Sequence, residues 1–354
     1  MAEELNPELD RYGTSRHPRE TQQLFGHDRE EAQFMAAYRS GRMPHAWLLA
    51  GPEGIGKASF AYRAARFLLA HSDPASKQVQ TATSLDTDPD APHSRRISAQ
   101  SHGDLYVLKR EIEAGKKTIP TEIKVDQVRK AIQFFSSTSG EGGWRIAIID
   151  AMDDLNRSGS NALLKLIEEP PPRSLFLMIT SAPGRLLPTI RSRCRVLNFR
   201  PLSEADIVAA LLDQPQAVDS ETAARAARYA GGSVRDALKL MDPTTLGVID
   251  HVEAMLQRLP KIDRGELLTM VDGLTGRDKS AQYETVIDTV NLWLSTECQR
   301  RAGEGARRLA PLAEVWEKSA RAASEADRYN LDRRPFLLTL FADLAEAVRQ
   351  SHSV

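Results

Sequence analysis

Residues 46–58, Ala46-Trp47-Leu48-Leu49-Ala50-Gly51-Pro52-Glu53-Gly54-Ile55-Gly56-Lys57-Ala58, decide how the chain reads. The apolar run Ala46 to Ala50, stopped by Gly51, predicts a buried strand that feeds a turn. Phe60, Ala64, Phe67 and Leu68 then recur at helical spacing. Strand, glycine turn and helix in that order form the first half of a βαβ unit. Within it, Gly51 to Lys57 matches G-x-x-x-x-G-K, the phosphate-binding loop. Gly51, Gly54 and Gly56 let successive backbone N–H groups point into one concavity, the helix N-terminus adds positive potential, and Lys57 reaches for β and γ phosphates. The plain alternative is a tight turn with an accidental lysine; the strand before it and the helix after it argue against that.

Outward from the loop, the alternation continues. Upstream, Asp28 with Glu31 three residues on, followed by Ala32, Met35 and Tyr38, predicts a helix over about 28–40. Downstream, 72–102 is rich in Ser, Asp, Pro, Thr and Gln with almost no large apolar side chains, and reads as a mobile polar insertion. Leu105 to Leu108 predicts a strand. Val125, Val128, Ile132 and Phe135 outline an amphipathic helix that closes in Ser-Ser-Thr-Ser-Gly. Arg145 to Asp150 and Leu175 to Thr180 are two more strands, and Val196 to Phe199 is the last. Such alternation predicts a parallel sheet with helices on both faces and a ligand site at the carboxyl ends of its strands. From Ser203 onward the pattern is helical, with N-cap pairs Ser203/Asp206 and Ser233/Asp236. Three domains are expected: 1–201, containing the 72–102 insertion, then a small helical unit at 202–243, then an all-helical unit at 244–354.

The loop carries a chemical defect. The position after the lysine should hold a hydroxyl that binds Mg²⁺, and it is Ala58. Ser59 follows, but a helix turns about 100° per residue, which aims its hydroxyl elsewhere. Asp150 ends a buried strand where an acid would hold the metal's water shell, and the next residue, which should orient the attacking water, is Ala151. Losing a general base alone typically lowers a rate by about 10² to 10⁴. Asp153 and Asp154 lie on the next turn, read as facing solvent. Little or no intrinsic hydrolysis is expected.

Composition bounds the remaining classes. With 41% hydrophobic and 27% charged residues, and no apolar run of membrane-spanning length, no membrane partner is expected. The first twenty residues hold no apolar core of the secretory kind, so a cytoplasmic location is expected. Two cysteines, Cys194 and Cys298, are too few for a disulfide framework or a four-cysteine zinc module, so reduced thiols and no metal site are expected. A net charge of −1 argues against a strongly basic surface, so any contact with nucleic acid would be shared with partners.

Pro188-Thr189-Ile190-Arg191-Ser192-Arg193-Cys194 sits before the last strand. An arginine on an edge can reach a neighbour's phosphoryl-transfer site, or it can simply solvate a surface turn. With Ser192-Arg193-Cys194, Asn161-Ala162-Leu163-Leu164-Lys165-Leu166-Ile167-Glu168-Glu169-Pro170-Pro171, Pro44-His45-Ala46, and Gly232-Ser233-Val234-Arg235-Asp236-Ala237-Leu238, the chain resembles the clamp-loader branch of AAA+ proteins over residues 24–241. From the residues alone, Leu163, Leu164 and Ile167 read as core, His45 as a packed turn residue, and Glu168 and Glu169 as facing water. The resemblance implies a phosphate-binding-loop AAA+ domain, a helical lid and an all-α collar that joins a ring. It implies that Arg193 acts in trans on ATP of an adjacent tau/gamma subunit, with Thr180 at the sensor-1 position and Arg235 at sensor 2. It implies partnership with tau/gamma and delta subunits, with a sliding clamp, and with primed DNA through the assembled complex. Gly51, Gly54, Gly56, Lys57, Asp150, Thr180 and Arg235 would then be a vestigial nucleotide site. No cofactor is required on this reading, and any ATP or ADP binding is expected to be weak. The tau/gamma motor has Thr after the loop lysine, Glu after the strand aspartate, and a zinc-binding cysteine cluster; the chain departs at all three, with 72–102 in the place of that module. An ATP-hydrolysing motor subunit, or another AAA+ ATPase, is the alternative that Lys57 and Asp150 leave open.

Overall fold

The computed structural model of the chain describes residues 11–111, 120–136, 143–274, 279–329 and 333–353. Two compact units form, Met1–Leu238 and Lys239–Val354. In the first, among the described residues, five strands make one parallel sheet: β1 (Ala46–Ala50), β2 (Leu105–Lys109), β3 (Arg145–Asp150), β4 (Ser174–Thr180) and β5 (Arg195–Asn198), in the order β2-β3-β4-β1-β5. Every residue of β1 and β4 is buried. That explains their unbroken apolar reading: a parallel sheet is covered on both faces.

Alternate strand residues feed two cores, because successive side chains point to opposite faces. Trp47, Leu49, Ile146, Ile148, Leu175 and Leu177 pack with Phe34 of α1 (Asp28–Arg39) and with Phe60 and Phe67 of α2 (Lys57–Ala70). Leu48, Ala147, Ile149, Phe176 and Met178 pack with Val128 and Phe135 of α5 (Val125–Ser136) and with Leu163 and Ile167 of α6 (Arg157–Glu168). The helix stop read in Ser-Ser-Thr-Ser-Gly lies, beyond Ser136, outside the described residues.

The segment 72–102 corrects the sequence reading. It is not a loose polar insertion: it forms α3 (Lys77–Thr81) and α4 (Pro92–Ser98), and Val79, Leu85 and Ile97 enter the first core at 0%, 1% and 1% exposure. Three apolar side chains suffice because charge completes the anchorage. The buried Arg63 guanidinium pairs with Glu31 at 3.3 Å and Asp86 at 2.9 Å, while Glu31 also accepts from the Leu85 amide at 2.6 Å. A window average over composition sees neither the spacing of the three nor the partner on α2.

After β5 the elements are all helical among the described residues. The short α7 (Pro188–Arg191) precedes β5; α8 (Glu204–Leu212), α9 (Ser220–Tyr229) and α10 (Val234–Leu240) follow it. Ser203 caps α8 by accepting from the Asp206 amide, and the Asp236 amide donates to Ser233. The second unit consists of α11 (Pro243–Gln257), α12 (Arg264–Gly273), α13 (Ser280–Arg300), α14 (Ala306–Tyr329) and α15 (Arg333–Ser353). Its own core holds Val252, Val286, Val290, Leu294, Leu337, Phe341 and Leu344. Among the described residues no helix is long and apolar enough to cross a membrane.

Candidate functional site

A cleft of about 430 Å³ lies at the carboxyl ends of the strands, within the range of small-ligand sites. Its floor is the loop between β1 and α2. Gly51 passes so close to the Phe199 carbonyl, and Gly54 so close to Ser233 and Arg235, that a Cβ at either position would collide; both have positive φ. Glycine is therefore required by packing as well as by turn geometry. Gly56, at φ +102, leads into α2.

Lys57 is buried, and its ammonium donates to the carbonyl of Gly51 at 2.6 Å and to that of Pro52. Burial pushes its pKa down to about 8, opposed by the nearby Asp150. Ala58, Ser59, Asp150 and Ala151 line the same cleft, so the two methyl groups stand where metal-dependent hydrolysis asks for a hydroxyl and a carboxylate.

Asp153, on the turn after β3, is exposed as expected and Asp154 is half-buried, and both are also tied into the fold. Asp153 accepts from the Thr180 hydroxyl at 2.7 Å, the Ser181 amide at 2.6 Å and the Ser181 hydroxyl at 3.0 Å. Asp154 pairs with Arg110 at 2.9 Å; burial raises its pKa and Arg110 opposes the rise. Thr180 is fully buried, with its hydroxyl spent on Asp153. The hydroxyl that an active phosphate-binding loop gives to Mg²⁺ is missing: Ala58 offers no oxygen, Asp153 and Asp154 already serve protein donors, and Ser59 and Asp150 are other oxygen-bearing side chains beside the loop lysine. Among the described residues no group of three His, Cys, Asp or Glu side chains is gathered to hold a metal. The loop lays Gly54, Gly56 and Lys57 along the cleft, with the Lys57 ammonium held by two loop carbonyls.

Helix α10 forms the roof. The Arg235 amide donates to the Gly54 carbonyl at 3.3 Å, and its guanidinium pairs with Glu53 at 2.7 Å. The side wall is the segment 11–25, which the sequence reading passed over. Arg11, Tyr12, Arg16, Leu24 and Phe25 line the cleft, and Arg16 pairs with Asp213 at 2.5 Å while its amide donates to Gln214 at 3.0 Å. Lys109 and Arg110 at the end of β2 also line it. The predicted strand Leu105 to Leu108 was the available signal, since residues just past a parallel strand's carboxyl end face the ligand side.

Gly54, Gly56, Lys57, Asp150 and Arg235 thus line one cleft, while Gly51 holds the Lys57 ammonium and Thr180 is buried. Arg193 is elsewhere. It precedes β5, whose Arg195 is in register with Trp47 and whose Asn198 is in register with Ala50, so the length of β5 separates it from the loop. From the amino ends of the strands it cannot serve its own cleft. Its guanidinium pairs with Glu168 at 2.8 Å and donates to the Thr189 carbonyl at 3.0 Å. Glu168 is accordingly an arginine partner, not merely a solvated charge. His45 lies at the same end, its Nε2 at 3.0 Å from the Ile167 carbonyl, as a packed turn residue. Cys194 and Cys298 are free thiols, and burial pushes Cys194 up to about 11.

The model of the family described as DNA polymerase III, delta subunit, matches residues 26–203, half of the chain. A DNA polymerase III subunit delta' from Pseudomonas aeruginosa is 35% identical over 201 residues, covering 55% of this chain and 55% of its own length. A DNA polymerase III subunit gamma/tau from Mycobacterium bovis is 30% identical over 280 residues, covering 75% of this chain and 45% of its own. The chain spans about half the length of the curated relatives it matches. Among solved structures, a DNA polymerase III gamma subunit-related protein from Thermotoga maritima is 15% identical with a TM-score of 0.39, covering 89% of this chain and 99% of that one. By the family match across its sheet domain, the chain belongs to the DNA polymerase III, delta subunit family.

Proposed function

We propose that this chain is a non-motor subunit of the DNA polymerase III clamp loader. It presents Arg193 to ATP held by a neighbouring tau/gamma subunit and works with that subunit, with delta and with the sliding clamp to load the clamp on primed DNA. The observation that carries the reading is the pair of methyl groups, Ala58 and Ala151, in an otherwise well-formed phosphate-binding cleft. The exposed position of Arg193 at the far end of the sheet supports the trans role. An arginine supplied in trans to phosphoryl transfer accelerates it by about 10³ to 10⁵. Weak ATP or ADP binding without turnover is the expected property of the chain's own cleft.

The test is ATPase rate with clamp and primed DNA, for the chain alone and mixed with tau/gamma and delta, as wild type and as Arg193→Ala. Silence alone and an activity of the mixture that falls by about 10³ on Arg193→Ala is the expected result. An unchanged mixture would make the chain a scaffold, and fast turnover by the chain alone would make it a motor.

A further inference from the structure

We propose that Glu168 is a positioning residue that holds the Arg193 guanidinium ready for a neighbour's phosphate; this rests on the trans role of Arg193. The two side chains come from separate elements, the last residue of α6 and the turn before β5, and meet at 2.8 Å with side-chain exposures of 39% and 40%. The guanidinium is held at a second nitrogen, where Nη1 donates to the Thr189 carbonyl at 3.0 Å, with Ser192 Oγ at 3.5 Å. A carboxylate and a helix-end carbonyl therefore define one orientation for a side chain that is otherwise half in water.

Such a carboxylate can act in two opposed ways. It can compete with the incoming phosphate, or it can order the arginine in advance. Magnitudes decide. An exposed ion pair is worth a factor of at most about five in an equilibrium constant, so competition is weak. The rotamer freedom of an unanchored arginine is worth about tenfold, and at most about thirtyfold, when it is frozen on binding, so ordering in advance outweighs it. Nor does Glu168 exhaust the guanidinium: of five N–H donors it takes one and Thr189 another, leaving donors for phosphate oxygens. The pair also sits at the amino ends of the strands, remote from the chain's own cleft, so nothing in that cleft needs it.

The experiment is a double-mutant cycle in the assembled complex with tau/gamma, delta, clamp and primed DNA, reading kcat and KM for ATP separately and complex assembly by sedimentation. Glu168→Ala is expected to lower kcat about tenfold with KM and assembly unchanged, and to have no further effect in the Arg193→Ala background. Glu168→Gln, which keeps an oxygen at the same reach, is expected to stay within about threefold of wild type. A kcat equal to or above wild type for Glu168→Ala overturns the proposal, as does an equal drop in the Arg193→Ala background. An Arg193→Ala complex with full activity would instead remove the trans role itself, which separates the two failures.

Discussion

The hydroxyl of Thr180, at the carboxyl end of β4, donates to Asp153 on the turn after β3 at 2.7 Å. Two neighbouring strand ends are thereby tied by a buried donor and an acid that also receives the Ser181 amide and hydroxyl. Removing the acid leaves Thr180 at 0% exposure without that acceptor. Asp153→Ala is expected to lower stability by about 1 to 3 kcal/mol, read as a lower urea midpoint at unchanged slope. Asp153→Asn, which retains an acceptor, should lose less.

Restoring the two missing groups tests why the cleft is chemically poor. Ala58→Thr with Ala151→Glu supplies the hydroxyl and the carboxylate on the cleft wall. The double variant is expected to gain magnesium-dependent nucleotide affinity of about tenfold or more, abolished by EDTA, as the restored hydroxyl contact to a metal would provide, while the carboxylate at 151 serves the attacking water. Calorimetry in both conditions measures it; equal affinities with and without metal would contradict the assignment of Ala58.

Lys57 makes a pH prediction. Burial depresses its folded-state pKa to about 8, below the ordinary lysine value of about 10.4. Between those values the unfolded chain holds more protons than the folded one, so this group makes stability rise with pH from about 8 to 10.4 and contribute no slope below that window. Lys57→Met removes the slope. The difference in urea midpoint between wild type and variant should therefore be constant from pH 6 to 7.5 and change in favour of wild type above pH 8.

The packed segment 72–102 should behave as part of the domain. Leu85→Ala, at a site 1% exposed, is expected to cost about 2 to 5 kcal/mol. In the folded wild type, trypsin should cut slowly at Lys77, and the Leu85→Ala variant should be cut there much faster.

Strand and helix identities were legible because burial on both faces writes continuous apolar runs into β1, β3 and β4, and because Ser203 and Ser233 mark helix starts in the expected N-cap pattern. The cleft's glycines, Lys57 and Asp150 were equally legible, since local backbone geometry and a strand's carboxyl end dictate them. What the sequence did not disclose was set by partners distant along the chain. The order of 72–102 depends on Arg63 and Glu31, and the fate of Asp153 depends on Thr180 and Ser181 twenty-seven and twenty-eight residues away. The wall built by 11–25 depends on Asp213 and Gln214.

By itself, then, the sequence determined an α/β sheet domain with a phosphate-binding-loop motif, the helical region after it and the absence of a hydroxyl at 58 and of a carboxylate at 151, because each is a property of one residue or one local period. Only the tertiary structure decided that Arg193 stands at the opposite end of the sheet from Lys57 and in the grip of Glu168. The reason is physical: parallel strand register sets which ends of the chain share a pole of the sheet, and an ion pair between α6 and the turn before β5 exists only once β4 and β5 are in place.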